Sequence, residues 1–391
     1  MRRLLAAAVA AIALIGALTA AEIIARIVEP NNAEEGNATP LPDPVAGWIP
    51  RPGLVHTRTS EYSVEYNVND LSMNDRPVTA ADRALARRIL ALGDSHTFGV
   101  GVSRDETWPL ALDSILFSAR QPRSGRVFNG GVAAYSLGQY LQRYRALRPT
   151  LKPHVVLVGV STATDLFDLL PPRLGGFVYG GDAARDYFDL DDAGKLVERH
   201  FTPSAGPGAN GAAPKRSSGL RVRTWLRQLA LYRRVQNSMV AMRLATSIRL
   251  PGGDPIWEGP DAVLRVNLND REAFQWALAE AILRELATEV RADGGTVTIV
   301  LIPYLPEVYD DVWNATFGRS REYDRAAGSR RLHDVALRLQ AGFVDTTPAL
   351  ISATRRSGVW LHHRNDKHPT AEGHRIIAQA VAAQLDASGR P

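Results

Sequence analysis

Residues 89–99 read Ile-Leu-Ala-Leu-Gly-Asp-Ser-His-Thr-Phe-Gly. The apolar run at 89–92 predicts a buried strand, and a turn at Gly-Asp-Ser and a helical pattern follow it. This order puts the hydroxyl of Ser95 at the carboxyl edge of a sheet, beside the free N–H groups of a helix start. A nucleophile needs that exposure, and an oxyanion needs those donors. The stretch therefore predicts a strand–turn–helix unit that presents a reactive serine.

Strands and helices alternate over the rest of the chain, which predicts an α/β fold. The run at 155–160 is apolar throughout, as strands buried on both faces of a parallel sheet are. The alternation favours a three-layer α/β/α sandwich around a central, mostly parallel sheet. The predicted strands are 63–68, 89–92, 126–129, 155–160, 296–302 and 343–345, and the predicted helices are 107–119, 139–147, 270–292, 330–339 and 371–385.

The N-terminal segment, residues 1–28, predicts a signal anchor or a signal peptide. Arg2 and Arg3 precede an uncharged run at 4–21, about the length that spans a bilayer. Small residues at 19–21 are a candidate cleavage site. The helical pattern continues past that site, which favours an uncleaved single-pass anchor over secretion after cleavage. In both cases the arginines stay in the cytoplasm and the rest of the chain lies on the extracytoplasmic, periplasmic side.

Residues 29–44 are rich in proline and asparagine and predict a linker with little helix or sheet. The folded domain is predicted over 45–391, with its core beginning in earnest near Arg88. The alternation breaks at about 171–259, which predicts an insertion. Within it, 202–219 predicts a mobile loop and 221–250 a helix. The insertion either covers the site or decorates the surface.

Composition excludes several classes of protein. The chain has no cysteine, which excludes disulfides, thiol catalysis and cysteine metal sites. The net charge is +5, and the arginines are scattered rather than clustered with aromatic residues. A nucleic-acid-binding face needs such a cluster, so no nucleic-acid partner is predicted. The histidines show no ligand spacing, so no metal is predicted, and no cofactor is predicted either.

Several motifs resemble those of the SGNH/GDSL hydrolase family, in its bacterial, exported and N-terminally anchored branch. The stretch at 93–102 resembles the first block of the family, and the stretch at 43–53 resembles the segment that often precedes the catalytic domain. The resemblance implies a flavodoxin-like sandwich and Ser95 as the nucleophile, with its N–H as one oxyanion donor. A serine that only caps a helix is the alternative for Ser95 alone.

The resemblance implies further oxyanion donors in two blocks that depart from the family pattern. At 127–136, Ala134 stands where the family usually has a glycine that donates its N–H, and Gly131 is the fallback. At 161–166, Thr164 stands where the family has an asparagine. A threonine hydroxyl can donate one hydrogen bond, but it is shorter. Either Thr164 replaces the amide, another group does, or the enzyme is slow on simple esters.

The block Asp366-Lys367-His368-Pro369-Thr370 resembles the catalytic acid and base of the family. His368 would take the proton of Ser95, and Asp366 would orient the imidazole. Asn365 occupies the position where many members carry the acid, so Asp366 is preferred. Four other histidines are given lesser roles: His362 and His363 at the surface or pocket rim, His374 packed within the closing helix, and His96 lining the pocket.

These residues predict acyl transfer through a Ser95 ester. Water as the second nucleophile gives an esterase for small acyl esters, which ranks first. A sugar hydroxyl gives an O-acetyltransferase that acts on a cell-envelope or exopolysaccharide substrate, which ranks second. A membrane-tethered binding module with a decayed site is the third hypothesis; Thr164 favours it, and the intact Ser95, Asp366 and His368 oppose it. The predicted partners are an acyl-ester or acylated-carbohydrate substrate and, through the N-terminal helix, a membrane.

Overall fold

The computed structural model describes residues 13, 16–24, 33–36, 40–118, 123–166, 169–174, 184–202, 261–318 and 320–387. Most of the predicted signal anchor lies outside these residues; of 1–28, only 13 and 16–24 are described, and 16–24 are helical. In the described part of the chain, no helix combines the length and the apolar character needed to cross a membrane. Nearly all of the predicted loop at 202–219 and the whole predicted helix at 221–250 also fall outside.

A five-stranded sheet forms the centre of the molecule, and all its strands are parallel. Its strands, in order across the sheet, are β12 (Gly342–Asp345), β11 (Thr296–Ile302), β8 (Val155–Ser161), β6 (Arg87–Leu92) and β7 (Gly125–Asn129). β6, which leads into Ser95, therefore lies between β8 and β7. Parallel strands deliver their carboxyl ends to one edge, and the predicted site residues follow those ends.

Helices cover both faces of this sheet and make two separate cores. Alternate residues of β6 show the division: Leu90 and Leu92 face one core, while Ile89 and Ala91 face the other. All four are fully buried. Each of the three larger side chains, Ile89, Leu90 and Leu92, contributes about 1.5–3 kcal/mol when it leaves water. The structure thus confirms the predicted three-layer α/β/α sandwich with a parallel sheet.

The helices largely follow the predicted periodicity. One face of the sheet carries α4 (Leu137–Leu151), α6 (Asp270–Ala292) and α9 (Ala327–Leu339), and the other carries α3 (Trp108–Phe117), α10 (Thr347–Ser357) and α11 (Ala371–Ala387). The predicted helix at 270–292 and the predicted strands at 63–68 and 296–302 have the observed bounds. The other helices are α1 Ala80–Arg83, α2 Ser95–Phe98, α5 Asp261–Leu264, α7 Leu305–Val308 and α8 Asp310–Thr316.

Short strands precede the central sheet, which corrects two predictions. The region 29–44 contains β1 (Ala33–Gly36) and β2 (Leu41–Asp43), although its prolines predicted little sheet. Pro42 sits within a two-stranded pair, where a missing N–H is tolerated at an edge. The core does not begin near Arg88 either, because Ala46 and Met73 already pack into it. The remaining early strands are β3 Gly47–Ile49, β4 Gly53–Arg58 and β5 Ser63–Val68.

The predicted insertion is described only in part. Its described residues form an antiparallel hairpin of β9 (Arg185–Leu190) and β10 (Leu196–Phe201). Phe188 of β9 is buried in the core on the α4 and α6 face. This part of the insertion therefore belongs to the fold rather than to a surface decoration, although it carries none of the predicted site residues.

Chain contacts divide the molecule into two compact units. One comprises Glu34–Thr57, Glu61–Pro203 and Glu258–Pro391, and it holds the central sheet and both cores. The other comprises Met1–Ala33, Arg58–Ser60 and Ser204–Trp257. Of the second unit, the described residues are 13, 16–24, 33 and 58–60.

A carboxyl group is buried beneath the carboxyl ends of β8 and β11. Glu307 is 1% exposed and accepts hydrogen bonds from the Thr162 hydroxyl and from the N–H of Tyr304, at 2.6 Å for the latter. Burial raises the pKa of Glu307 to about 7, against the opposing effect of these hydrogen bonds. The protonated form is therefore favoured by folding.

We expect the stability contribution of Glu307 to be full below the pKa of an unfolded glutamate, near 4.3, and to be lost as pH rises toward about 7. Glu307→Gln should remove about 1–3 kcal/mol of this pH dependence, because glutamine mimics the protonated acid. Urea unfolding of both proteins between pH 5 and 8 measures it. Equal pH slopes for wild type and variant would contradict the buried ionisation.

Candidate active site

Ser95 lies where β6 gives way to α2, of which it is the first residue. Asp94 caps this helix, and its Oδ1 accepts the N–H of His96 at 2.9 Å. The turn requires a glycine at position 93: a Cβ there would lie 2.0 Å from Thr97 Oγ1 and 3.1 Å from the carbonyl oxygen of Gly159. The close approach of β8 and α2 therefore fixes where the serine hydroxyl emerges, and Ser95 itself is half-buried.

The structure brings Ser95, His368 and Asp366 together in one chain of hydrogen bonds. His368 Nε2 lies 2.7 Å from Ser95 Oγ, and His368 Nδ1 is bonded to Asp366 Oδ1. The side chains of His368 and Asp366 are 20% and 22% exposed, so the relay opens toward solvent. Asn365 is exposed and does not replace Asp366. An imidazole held in this way can take the serine proton, as an acyl-transfer nucleophile requires.

Lys367 separates the acid from the base and adopts a left-handed backbone, with φ of 73°. Two backbone bonds close the short loop around it: the N–H of His363 donates to the carbonyl of His368 at 2.9 Å, and the N–H of Lys367 donates to the carbonyl of His363 at 3.0 Å. The loop explains how an acid two positions before the histidine can still reach the imidazole.

Asp366 has two donors, one on each carboxylate oxygen. Oδ1 is bonded to His368, and Oδ2 accepts the hydroxyl of Tyr62. Burial alone would raise the pKa of Asp366, but His368, through its hydrogen bond and its charge, and the Tyr62 hydroxyl outweigh it and lower the pKa to about 2. The acid is therefore ionised throughout the neutral range, in the state that stabilises an imidazolium.

Two backbone N–H groups fit the predicted oxyanion roles. In the described chain, neither the N–H of Ser95 nor that of Ala134 donates to a protein acceptor. Ala134 has φ of 64°, the left-handed conformation that glycine adopts most easily, so the alanine keeps the backbone expected there. Gly131, the fallback, is placed differently: its N–H donates to Asn129 Oδ1 at 3.1 Å.

The hydroxyl of Thr164, one of the alternatives for a further oxyanion donor, is already engaged. It donates to Asp94 Oδ2 at 2.8 Å, and a hydroxyl has a single hydrogen to give. In this conformation Thr164 supports the buried Asp94 rather than an oxyanion. The sequence could not show this, because the contact joins residues 70 positions apart.

Asp94 also forms a buried pair with His96. The ring nitrogen Nδ1 of His96 lies 3.0 Å from Asp94 Oδ2. Burial works against both charges, but the attraction between them outweighs it, so the pKa of His96 is raised and that of Asp94 is lowered. The His96 ring lies 4.9 Å from the His368 ring, centroid to centroid. His96 is thus next to His368, the predicted base.

The remaining histidines divide between core and loop. His362 was predicted at the surface or pocket rim, and this is wrong: it is 3% exposed, bonded to the Tyr309 hydroxyl at 2.8 Å, and burial lowers its pKa to about 3. His363 is half-buried, with Nε2 3.3 Å from the carbonyl oxygen of Gly101. His374 packs structurally as predicted; its Nδ1 accepts the N–H of Trp108 at 3.1 Å. Among the described residues, no three His, Asp or Glu side chains are grouped as metal ligands.

Sequence reasoning missed Glu61 and Tyr62, which contact the Asp366 loop from more than 300 positions away. Nothing local marks them, because they precede an ordinary strand. It also missed the Asp94–His96 pair. A signal for that pair was present: Asp-Ser-His at 94–96 repeats the Asp-x-His spacing of 366–368.

Comparisons with known proteins give distant structural likenesses. No protein-family model matches the chain, and no curated protein matches it. Similar solved structures include LAE5, an alpha/beta hydrolase from the metagenome of Lake Arreo, Spain, at 14% identity, covering 77% of this chain and 96% of that one, with a TM-score of 0.40. Axe2, an acetylxylan esterase from Geobacillus stearothermophilus, has 13% identity, coverage of 77% and 94%, and a TM-score of 0.38.

A lipolytic protein of the G-D-S-L family from Desulfitobacterium hafniense is similar at 12% identity, with coverage of 76% and 99% and a TM-score of 0.37.

We expect Thr164→Val to lower the free energy of unfolding by about 1.5–3 kcal/mol, because it removes a hydrogen bond to a buried carboxylate. Urea unfolding of the ligand-free protein measures the change. Thr288→Val is the matched control: its hydroxyl bonds a carbonyl on an exposed helix face, and its loss should cost less than about 0.5 kcal/mol. An equally small effect at Thr164 would mean that its hydroxyl does not serve Asp94.

Proposed function

We propose that this protein is a serine esterase of SGNH/GDSL type that cleaves esters of small acyl groups through a Ser95 acyl-enzyme. The hydrogen-bonded chain from Ser95 through His368 to Asp366 carries the proposal. Three residue types that act together in acyl transfer meet at the carboxyl edge of a parallel sheet, where α/β folds place their sites. Asp94 rather than Ser95 caps α2, and a capping role would not explain the imidazole 2.7 Å from the Ser95 hydroxyl.

The geometry supports the following path for the protons in the proposed reaction. Asp366 accepts Nδ1–H of His368, which leaves Nε2 with a lone pair toward the serine hydroxyl. Ser95 Oγ attacks the ester carbonyl carbon while its proton passes to Nε2. The N–H groups of Ser95 and Ala134 would then receive the oxyanion. His368 returns the proton to the leaving alcohol, and water repeats the sequence on the acyl-enzyme to release the acid.

The test is covalent labelling and hydrolysis by the full-length protein. Wild type should hydrolyse p-nitrophenyl acetate and should be labelled at Ser95 by a fluorophosphonate. Ser95→Ala should abolish labelling and lower hydrolysis at least about 1,000-fold, because the nucleophile is gone. Ser63→Ala, an exposed serine of β5, is the matched control and should retain both. If the folded wild-type protein takes no label at neutral pH, the proposal of a serine esterase is refuted.

The same assay separates hydrolysis from transfer. With an added oligosaccharide, an esterase releases free acetate, whereas an O-acetyltransferase gives acetylated sugar. The acyl-enzyme chemistry is common to both, and only the second nucleophile differs. Acetylated oligosaccharide as the main product would replace the esterase proposal with the transferase.

We also propose that segment 1–28 anchors the protein in a membrane with the sandwich on the extracytoplasmic side. Support comes from Arg2 and Arg3 before the uncharged run at 4–21. We expect the full-length protein in the membrane fraction, resistant to carbonate extraction and open to protease added outside the inner membrane. Recovery in the soluble cytoplasmic fraction would contradict the anchor.

A further inference from the structure

Glu61 and Tyr62, the two residues that precede β5, both contact the loop that carries the catalytic acid and base. Tyr62 donates its hydroxyl to Asp366 Oδ2. The Glu61 carboxylate accepts three successive backbone N–H groups, from Arg364 at 2.5 Å, Asn365 at 2.9 Å and Asp366 at 2.9 Å. One side chain thus holds the backbone of the loop while its neighbour holds the carboxylate.

β5 and the residues just before it also contact the loop that follows Ser95. The Tyr66 hydroxyl of β5 accepts the N–H of Gly101 at 2.9 Å, and the Tyr62 ring packs on His363 at 4.8 Å between centroids. Gly101 lies close to both rings: a Cβ there would be 2.9 Å from His363 Nε2 and 3.2 Å from Tyr62 Cε1. Residues 61–66 therefore touch the chain on both sides of the Ser95–His368 contact.

We propose that Tyr62 is a positioning residue of the catalytic relay, acting through Asp366, and that Glu61 locks the backbone of the Asp366 loop so that Tyr62 and His368 share the two oxygens of that carboxylate. This inference rests on the proposed function. It adds a fourth group to the relay, in the order Tyr62, Asp366, His368, Ser95, supplied by a segment that lies before the central sheet.

The chemistry of the contact fits this role. A carboxylate with a single donor can rotate about its Cβ–Cγ bond, whereas donors on both oxygens fix its plane. Burial and the hydrogen bond to Asp366 raise the pKa of Tyr62, so its hydroxyl keeps its proton and remains a donor. The fixed plane keeps Oδ1 aimed at His368 Nδ1, which sets the tautomer that serine activation needs.

The test measures the rate of Ser95 labelling by a fluorophosphonate in the full-length protein. Tyr62→Phe keeps the ring against His363 and removes the donor, so labelling should slow about tenfold, the rate equivalent of one hydrogen bond to a charged group. Tyr144→Phe is the matched control. Its hydroxyl also donates to an aspartate, Asp293, at 2.6 Å, but at the amino edge of the sheet, and its labelling rate should be unchanged.

A double-mutant cycle distinguishes positioning from general support of the fold. If Tyr62 acts through Asp366, then Tyr62→Phe should change labelling by less than about twofold once Asp366→Ala is present. Glu61→Gln should slow labelling, while Glu65→Gln, an exposed neighbour on β5, should not. Thermal unfolding of each variant confirms that it is folded.

Each outcome has one meaning. Slower labelling of Tyr62→Phe that disappears in the Asp366→Ala background supports the inference. Wild-type labelling in Tyr62→Phe, or a tenfold loss that persists without Asp366, overturns it and leaves the proposed function intact. Absence of labelling in wild type overturns the proposed function, and the positioning role falls with it.

Discussion

The hydrogen bond between Ser95 Oγ and His368 Nε2 joins parts of the chain 273 positions apart, and the rest of the architecture makes it available. β6 is an inner strand next to the edge strand β7, so the serine emerges between the ends of two neighbouring strands at the carboxyl edge. α11 belongs to the same hydrophobic core as Ile89 and Ala91 of β6. This packing brings the segment before α11, which carries His368, to the carboxyl edge of the sheet. The contact between Ser95 and His368 thus depends on the packing of a helix layer on the sheet rather than on local sequence.

The two aspartates around this contact are both paired with hydrogen-bond donors. Asp94 accepts hydrogen bonds from the Thr164 hydroxyl and the N–H of His96, and it pairs with the His96 ring. Asp366 accepts the hydroxyl of Tyr62 and is hydrogen-bonded to His368. Asp94 is fully buried and Asp366 is half-buried, and a buried charge without donors costs several kcal/mol. The two aspartates are therefore held in place, Asp94 next to Ser95 and Asp366 against the ring of His368.

Much of the fold was predictable because strong periodicity and buried strands are local signals. The helix at 270–292 and the strand at 296–302 have the predicted bounds, and Ser95, Asp366 and His368 meet as their motifs predicted. Long-range partners were not predictable: a single sequence carries no signal that the hydroxyl of Thr164 reaches Asp94 or that Glu61 binds the loop at 364–366. The strands β1 and β2 were not predicted for a related reason: strand pairing overrides the low strand propensity of the prolines around them.

The relay is assembled from residues far apart in order of synthesis. A chain made from its N-terminus carries Tyr62 and Ser95 long before it carries Asp366 and His368. Under the proposed function, Ser95 therefore lacks its base until the later segment has folded onto the sheet. The proposed nucleophile would then be activated only after the C-terminal part of the chain has folded.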